Sequence, residues 1–185
     1  STIASYCYLT DCVVEAAYNA VLRHLHPAQA STTGERLALI AVGGYGRGEM
    51  APFSDVDLLF TVPYKITGWA ESVVESLLYV LWDLKLKVGH AVRTVNDCMR
   101  LASEDHTIRT SLVEMRFLFG DRTVYKGLQK QLRENLFKGT AQDFTEAKMA
   151  ERSTRHLKQG GQRYVVEPNV KEGKGGLRDL QSLFW

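Results

Sequence analysis

The chain has 185 residues, of which 45% are hydrophobic and 24% are charged, as in a globular domain with one core. A formal net charge of +2 excludes a global basic field for long stretches of nucleic acid, so functional charge must be local. No apolar run reaches membrane-spanning length, and no signal-peptide pattern opens the chain, so we expect neither a membrane nor a nucleic-acid partner. Three scattered cysteines (Cys7, Cys12 and Cys98) indicate buried free thiols in a reducing cytoplasm. The chain begins without Met and stops inside an apolar helical pattern, and we therefore expect an excised domain.

In chain order, apolar spacing first predicts a helix over residues 10–25. The uninterrupted apolar run 37–42 predicts a strand buried on both faces, ended by two glycines. Residues 56–62 alternate and predict a second strand, whose position 57 faces away from positions 56 and 58. A long amphipathic helix is predicted over 69–86 and a third strand over 88–95.

The remaining chain is predicted to be mainly helical, with helices near 97–104, 106–119, 125–138 and 141–158, an extended segment over 164–170 and a glycine-rich loop over 171–176. This order predicts the α/β class, with a small mixed sheet backed by helices and a helical C-terminal part. We expect a single domain over 1–185, with a catalytic α/β core near 35–120 and a helical part over 121–185.

The chemistry concentrates between Gly43 and Asp57. Asp55 and Asp57 stand two residues apart at a strand start, so both carboxylates should leave the same face. Paired hard oxygen ligands suit Mg²⁺, which also takes phosphate oxygens of a substrate. Gly43 and Gly44 leave backbone N–H groups bare for phosphate oxygens, and Arg47 adds a phosphate-pairing charge.

Each part alone has a simpler interpretation, a flexible turn for the glycines and a solvated strand end or helix cap for the two acids. Their combination between two apolar strands favours a phosphoryl-transfer site, because an in-line attack on an α-phosphate needs both a phosphate cradle and metal carboxylates. Glu49 stands where the dinucleotide-binding motif G-x-G-x-x-G needs glycine, and no G-x-x-x-x-G-K-[ST] occurs.

A strand, Gly-Gly, a short loop and Asp-x-Asp resemble the DNA polymerase β-like nucleotidyltransferase superfamily. Within it, the chain is similar to the N-terminal domain of the bifunctional PII uridylyltransferase/uridylyl-removing enzymes. The motifs that carry this resemblance are VGGYGRGE (42–49), SDVDLL (54–59), LWD (81–83), VGHAVRT (88–94) and EPNVK (167–171) with GGLRD (175–179).

The resemblance implies UTP as donor, a tyrosine hydroxyl of the PII nitrogen-signalling protein as acceptor, pyrophosphate as product and glutamine as the signal. It implies that Gly43 and Gly44 hold the triphosphate, with Arg47 and Ser54 also in the nucleotide site. It also implies that Asp55 and Asp57 hold the metals. Hydrolase and regulatory domains follow in that family, and we expect neither in this chain.

One departure from the superfamily concerns the third carboxylate, which a later strand usually supplies. Residues 88–95 contain no acid, and the candidates beyond them are Asp97, Asp105, Glu114 and Asp179. Asp97 has helix capping as its simplest role. We expect none of the four to match Asp55 in importance.

Other residues carry less information. His90 is more simply a structural strand histidine, and Arg93 is as readily a solvent or ion-pair residue as a phosphate ligand. A basic cluster is most simply a solvated helix face but could receive an acidic partner or triphosphate; its members are Arg152, Arg155, Lys158 and Arg163. Two functional alternatives stay open: a related transferase with another nucleotide or acceptor, and a nucleotide-sensing module without turnover.

Overall fold

The computed structural model describes residues 2–27, 35–139, 141–158 and 169–183. The chain divides into two compact units, Ser1–Glu134 and Asn135–Trp185. In the described ranges, no helix combines the length and the apolarity that a membrane crossing requires.

The first unit alternates helices and strands. It begins with α1 (Thr2–Ala20), a π-helical turn (Val21–Leu25), β1 (Ala38–Ala41), α2 (Gly43–Gly46), β2 (Val56–Val62) and α3 (Gly68–Asp83). It continues with β3 (Val88–Thr94), α4 (Val95–Glu104), α5 (His106–Val113), β4 (Arg116–Gly120) and α6 (Arg122–Gln131), and a second π-helical turn follows over Leu132–Phe137. The second unit contains α7 (Ala141–Lys158) and α8 (Leu177–Gln181).

The described strands form one four-stranded sheet in the order β3-β2-β1-β4. Strand β1 pairs antiparallel with both β2 and β4, whereas β2 and β3 run parallel and are joined by α3. The predicted α/β class, a small mixed sheet backed by helices, is confirmed.

Strand β2 lies at the centre of this arrangement, and both of its faces are covered. Its alternate residues Val56, Leu58, Phe60 and Val62 join one core cluster with residues of α1 and α3. Leu59 and Thr61, on the opposite face, are buried as well, and α6 contacts β2. Asp57 is the one residue of β2 that is not fully buried.

The predicted helix over 106–119 is wrong in its second half. Helix α5 ends at Val113, and Arg116–Gly120 forms β4 against the second edge of β1. Two phenylalanines in this segment favour a strand, and pairing with β1 supplies backbone partners that a helical pattern does not reveal. Gly120 has a φ of +89°, which glycine tolerates and which ends the strand.

Most other predicted elements are confirmed with shifted ends. Strand β2 and helix α7 have the predicted bounds, while α1 begins earlier than expected at Thr2. The predicted helix over 125–138 is α6 followed by π-helical residues. Residues 171–176 form the expected loop. Of the predicted extended segment over 164–170, residues 164–168 lie outside the described residues.

In the second unit, Asp179 links α8 to α7. Its carboxylate lies 2.6 Å from Arg155 Nη2 and 2.9 Å from His156 Nε2, and it accepts a hydrogen bond from the Gly175 amide at 2.8 Å. Burial raises the pKa of Asp179, but these hydrogen bonds outweigh it and lower the pKa to about 2. Arg152 also approaches this carboxylate, at 3.4 Å, so the predicted solvated basic face is partly a structural ion-pair network.

Candidate active site

The glycine-rich segment after β1 folds into one short helical turn, α2, and not into an irregular loop. Gly43 has a φ of +60°, which a residue with a side chain adopts only with strain. The amide of Val42 donates to the Asp57 carbonyl at 3.1 Å, and the Gly46 amide donates to the Val42 carbonyl at 2.9 Å. The turn is therefore fixed to β2, and the first amides of a helical turn have no acceptor within the helix.

The Asp57 carboxylate lies between two glycines from different elements. Parallel pairing places Asp57 directly opposite Gly89 of β3. A Cβ added to Gly89 would lie 2.5 Å from Asp57 Oδ1, and a Cβ added to Gly43 would lie 3.0 Å from Asp57 Oδ2. Because neither glycine has a side chain, there is room between them for the Asp57 carboxylate.

Asp55 has different surroundings, because it precedes the first residue of β2 and is exposed. The loop before it is tight: Phe53 has a φ of 67°, and the Ser54 amide donates to the Ala51 carbonyl at 3.0 Å. The two predicted metal ligands are thus one strand residue and one loop residue.

An open pocket of about 260 Å³ lies over this part of the sheet. Gly43 and Asp57 line it together with Gly89 and Arg93 of β3, and α5 contributes Thr107, Ile108 and Ser111. No pattern in the sequence marks these three α5 residues as part of a site. Their spacing of four residues places Thr107 and Ser111 on one helix face, but it does not tell which face meets Asp57.

Arg47 lies beside the glycine turn and is paired with two carboxylates. Its Nε donates to Glu49 Oε2 at 2.8 Å, and its Nη1 contacts Glu114 Oε1. Burial alone would lower the pKa of Arg47, but the two carboxylates raise it, so the guanidinium stays charged. A phosphate at the turn would meet a cation that these acids already hold in place.

His90 points away from Asp57, because successive strand residues face opposite sides of a sheet. Its ring lies edge-on to Trp82, with 6.2 Å between ring centroids. This packing supports the structural interpretation of His90, although His90 as well as Arg93 borders the pocket.

Two family models match parts of the chain. A family model described as a nucleotidyltransferase domain matches residues 29–117, which contain the glycine turn, Asp55, Asp57 and β3. A second model, described as GlnD PII-uridylyltransferase, matches residues 143–185. The chain is therefore similar to PII-uridylyltransferases, and the part that contains the pocket is similar to nucleotidyltransferase domains.

Individual relatives agree with this assignment. Proteins named bifunctional uridylyltransferase/uridylyl-removing enzyme are 61% identical over 181 residues in Ruegeria pomeroyi, 61% over 177 in Cereibacter sphaeroides and 54% over 179 in Azospirillum brasilense. These matches cover 98%, 96% and 97% of the chain and 20%, 19% and 19% of the relatives. The chain therefore spans about a fifth of the length of the curated relatives that it matches.

The four further acids considered as metal ligands all have structural partners. Asp97 forms a capping box with Thr94 at the start of α4, as its predicted capping role requires. Asp105 caps α5 through the amides of Thr107 and Ile108. Glu114 follows the last residue of α5 and pairs with Arg47, and Asp179 belongs to the second unit.

Among the described residues, candidate metal ligands other than the predicted pair Asp55 and Asp57 do not form a cluster of their own. No three His, Cys, Asp or Glu side chains of those residues cluster in a way that could hold a metal ion by themselves. The free thiols are Cys7, Cys12 and Cys98; Cys12 is exposed, contrary to the expectation that all three are buried.

Proposed function

We propose that the chain transfers UMP from UTP to a tyrosine hydroxyl of the PII nitrogen-regulatory protein and releases pyrophosphate. The observation that carries this proposal is the carboxylate of Asp57, which lines a pocket beside the glycine turn. The chain that contains it resembles named uridylyltransferases over nearly its whole length. Glutamine is the proposed signal, sensed by regions outside this chain. The proposed site of the reaction is the cytoplasm.

The residues of the proposed site have different roles, which follow from their chemistry. The amides of Gly43 and Gly44 and the guanidinium of Arg47 would bind the triphosphate, and Ser54 would contact the nucleotide from the loop before β2. Asp55 and Asp57 would hold Mg²⁺, whose preference for hard oxygen ligands fits a carboxylate pair beside a phosphate site. The bound ion would neutralise charge on the phosphates.

The proposed step forms one bond and breaks one. The tyrosine oxygen attacks the α-phosphorus, the bond from that phosphorus to the bridging oxygen of the β-phosphate breaks, and pyrophosphate leaves with the bond's electron pair. The phenolic proton needs an acceptor. Since Asp97, Asp105 and Glu114 all hold structural partners in the first unit, we propose that the surface of PII helps to activate its own tyrosine.

Pyrophosphate release with each of the four nucleoside triphosphates, with and without PII, tests this proposal. We expect release with UTP only when PII is present, and loss of release in Asp57→Asn, which keeps the side-chain shape but removes the negative charge. Release with another nucleotide or acceptor would support a related transferase instead. Nucleotide binding without any release would support a sensing module.

A further inference from the structure

We propose that Gly89 of β3 is a positioning residue that fixes the carboxylate of Asp57 for metal binding. The inference rests on the proposed function, because it assigns Gly89 a role in the same site. Position 89 needs glycine because of the Asp57 carboxylate and not because of the surrounding backbone.

The first support is the register of β2 and β3. The two strands pair in parallel over seven residues, from Val56 opposite Val88 to Val62 opposite Thr94, without a shift. Paired residues point to the same side of a sheet, so position 89 faces the side on which Asp57 opens into the pocket. A side chain at position 89 would therefore enter the space of the Asp57 side chain.

The second support is the pair of distances to the two carboxylate oxygens. The Cβ of an alanine at position 89 would lie 2.5 Å from Asp57 Oδ1, and one at position 43 would lie 3.0 Å from Oδ2. Two glycines thus flank opposite oxygens of one carboxylate. A contact below 3.0 Å requires movement, and the carboxylate is the group that would have to move.

The third support is what else surrounds position 89. Among the described residues outside its chain neighbours, an added Cβ would meet no atom within 4 Å except those of Asp57, and the φ of Gly89 is not in the left-handed region. By contrast, a Cβ at Gly46 would meet the carbonyl oxygens of Glu114 and Ala41. Gly46 is thus required by backbone packing, whereas Gly89 is required by one functional side chain.

A double-mutant cycle on unfolding tests the steric part of the inference without any ligand. We expect Gly89→Ala to lower the thermal midpoint of the wild-type protein, and to have no such effect in an Asp57→Ala background, where the carboxylate is gone. A general effect of alanine on strand β3 would be equal in both backgrounds. Gly68→Ala is the matched control, because a Cβ there meets nothing within 4 Å.

Steady-state kinetics tests the functional part. We expect Gly89→Ala to lower the kcat for pyrophosphate release from UTP by at least about tenfold with little change in the KM for UTP, because displacement of a reacting-site group by about 1 Å is costly. Gly68→Ala should keep the wild-type kcat. Equal midpoint shifts in both backgrounds, or a kcat of Gly89→Ala near that of wild type, would overturn the inference. If the wild-type protein released no pyrophosphate, the proposed function would fail, and the unfolding cycle would still decide whether Gly89 positions Asp57.

Discussion

Gly43 and Gly44 are adjacent, but the structure gives them different constraints. Gly43 combines a φ of +60° with close approach to the Asp57 carboxylate. At Gly44 the φ is not left-handed, and an added Cβ would lie 3.4 Å from the Glu49 carbonyl oxygen, an ordinary contact. Substitution of Gly44 therefore tests phosphate binding with less disturbance of the backbone than substitution of Gly43.

We expect Gly44→Val to weaken UTP binding strongly while the protein remains folded. A branched side chain would occupy the space in which a phosphate approaches the backbone amides. Isothermal titration with UTP and Mg²⁺ measures the effect, with Gly68→Val as the control in open space at the start of α3. Wild-type affinity in Gly44→Val would mean that the glycine pair only shapes the turn.

The four acids that could replace a missing third carboxylate provide another test at this scale. We expect alanine at Asp97, Asp105, Glu114 or Asp179 to lower kcat less than Asp55→Asn does, because caps and ion pairs already occupy these side chains. Their main effect should be on stability, by about 0.5–2 kcal/mol for the two caps. Measurement of kcat and urea unfolding for all five variants decides this, and a kcat loss equal to that of Asp55→Asn would identify a third ligand.

At the scale of elements, the glycine turn is fixed by the junction between α5 and β4. Arg116 donates two hydrogen bonds to Asp11 of α1, at 2.8 and 3.1 Å, and one to the carbonyl of Tyr45 at 3.2 Å. On the other side, Arg47 pairs with Glu114. Between these contacts, a Cβ at Gly46 would lie 2.2 Å from the Glu114 carbonyl oxygen.

We expect Gly46→Ala to destabilise the protein by about 1–3 kcal/mol, since two backbone segments would have to separate. Gly127→Ala is a suitable comparison, because a Cβ on α6 at this position meets no atom within 4 Å. That change should stabilise the protein by about 0.5–1 kcal/mol, as alanine does in a helix. Urea unfolding of both variants measures the difference, and equal stabilities would contradict the close approach of α2 to Glu114.

The sequence predicted α3 well because its apolar periodicity agrees with its buried face, and it predicted β2 through the alternation of Val56, Leu58, Phe60 and Val62, which share one core. It did not predict β4, because the apolar residues of Arg116–Gly120 fit a helical pattern and their partner β1 lies far away in the chain. The Asp-x-Asp pair could be recognised because it fits the same alternation of apolar and polar residues that predicts β2. The roles of Gly89, Thr107 and Ser111 depend on strand order and helix rotation, which no local pattern contains.

At the scale of the whole molecule, each unit contains an acid with a lowered pKa, half-buried in the first unit and buried in the second. In the first unit, Asp121 caps α6 and pairs with Arg36 at 2.6 Å. Burial raises the pKa of Asp121, but Arg36 and Thr123 outweigh it and lower the pKa to about 2. Asp179 in the second unit also has a pKa lowered to about 2.

We expect the free energy of unfolding to fall as the pH falls from about 4 to about 2. The folded-state pKa values lie below the ordinary value of 3.8, so the stability they contribute is present above that value and is lost as both acids gain protons. Urea unfolding at several pH values measures this loss. Asp121→Asn keeps a capping side chain and should lose less stability over the same range; an unchanged pH dependence would contradict the role of Asp121.

The distant anchoring of the glycine turn has a consequence for the order in which a nascent chain acquires its site. Tyr45 and Arg116 are separated by 71 residues, and Arg47 and Glu114 by 67. Strands β1 and β2 are close in sequence and can pair early during synthesis, whereas the second edge of β1 stays open until β4 has left the ribosome. A ribosome that stalls before residue 114 would therefore present the Gly-Gly and Asp-x-Asp motifs without the contacts that hold them in a working geometry.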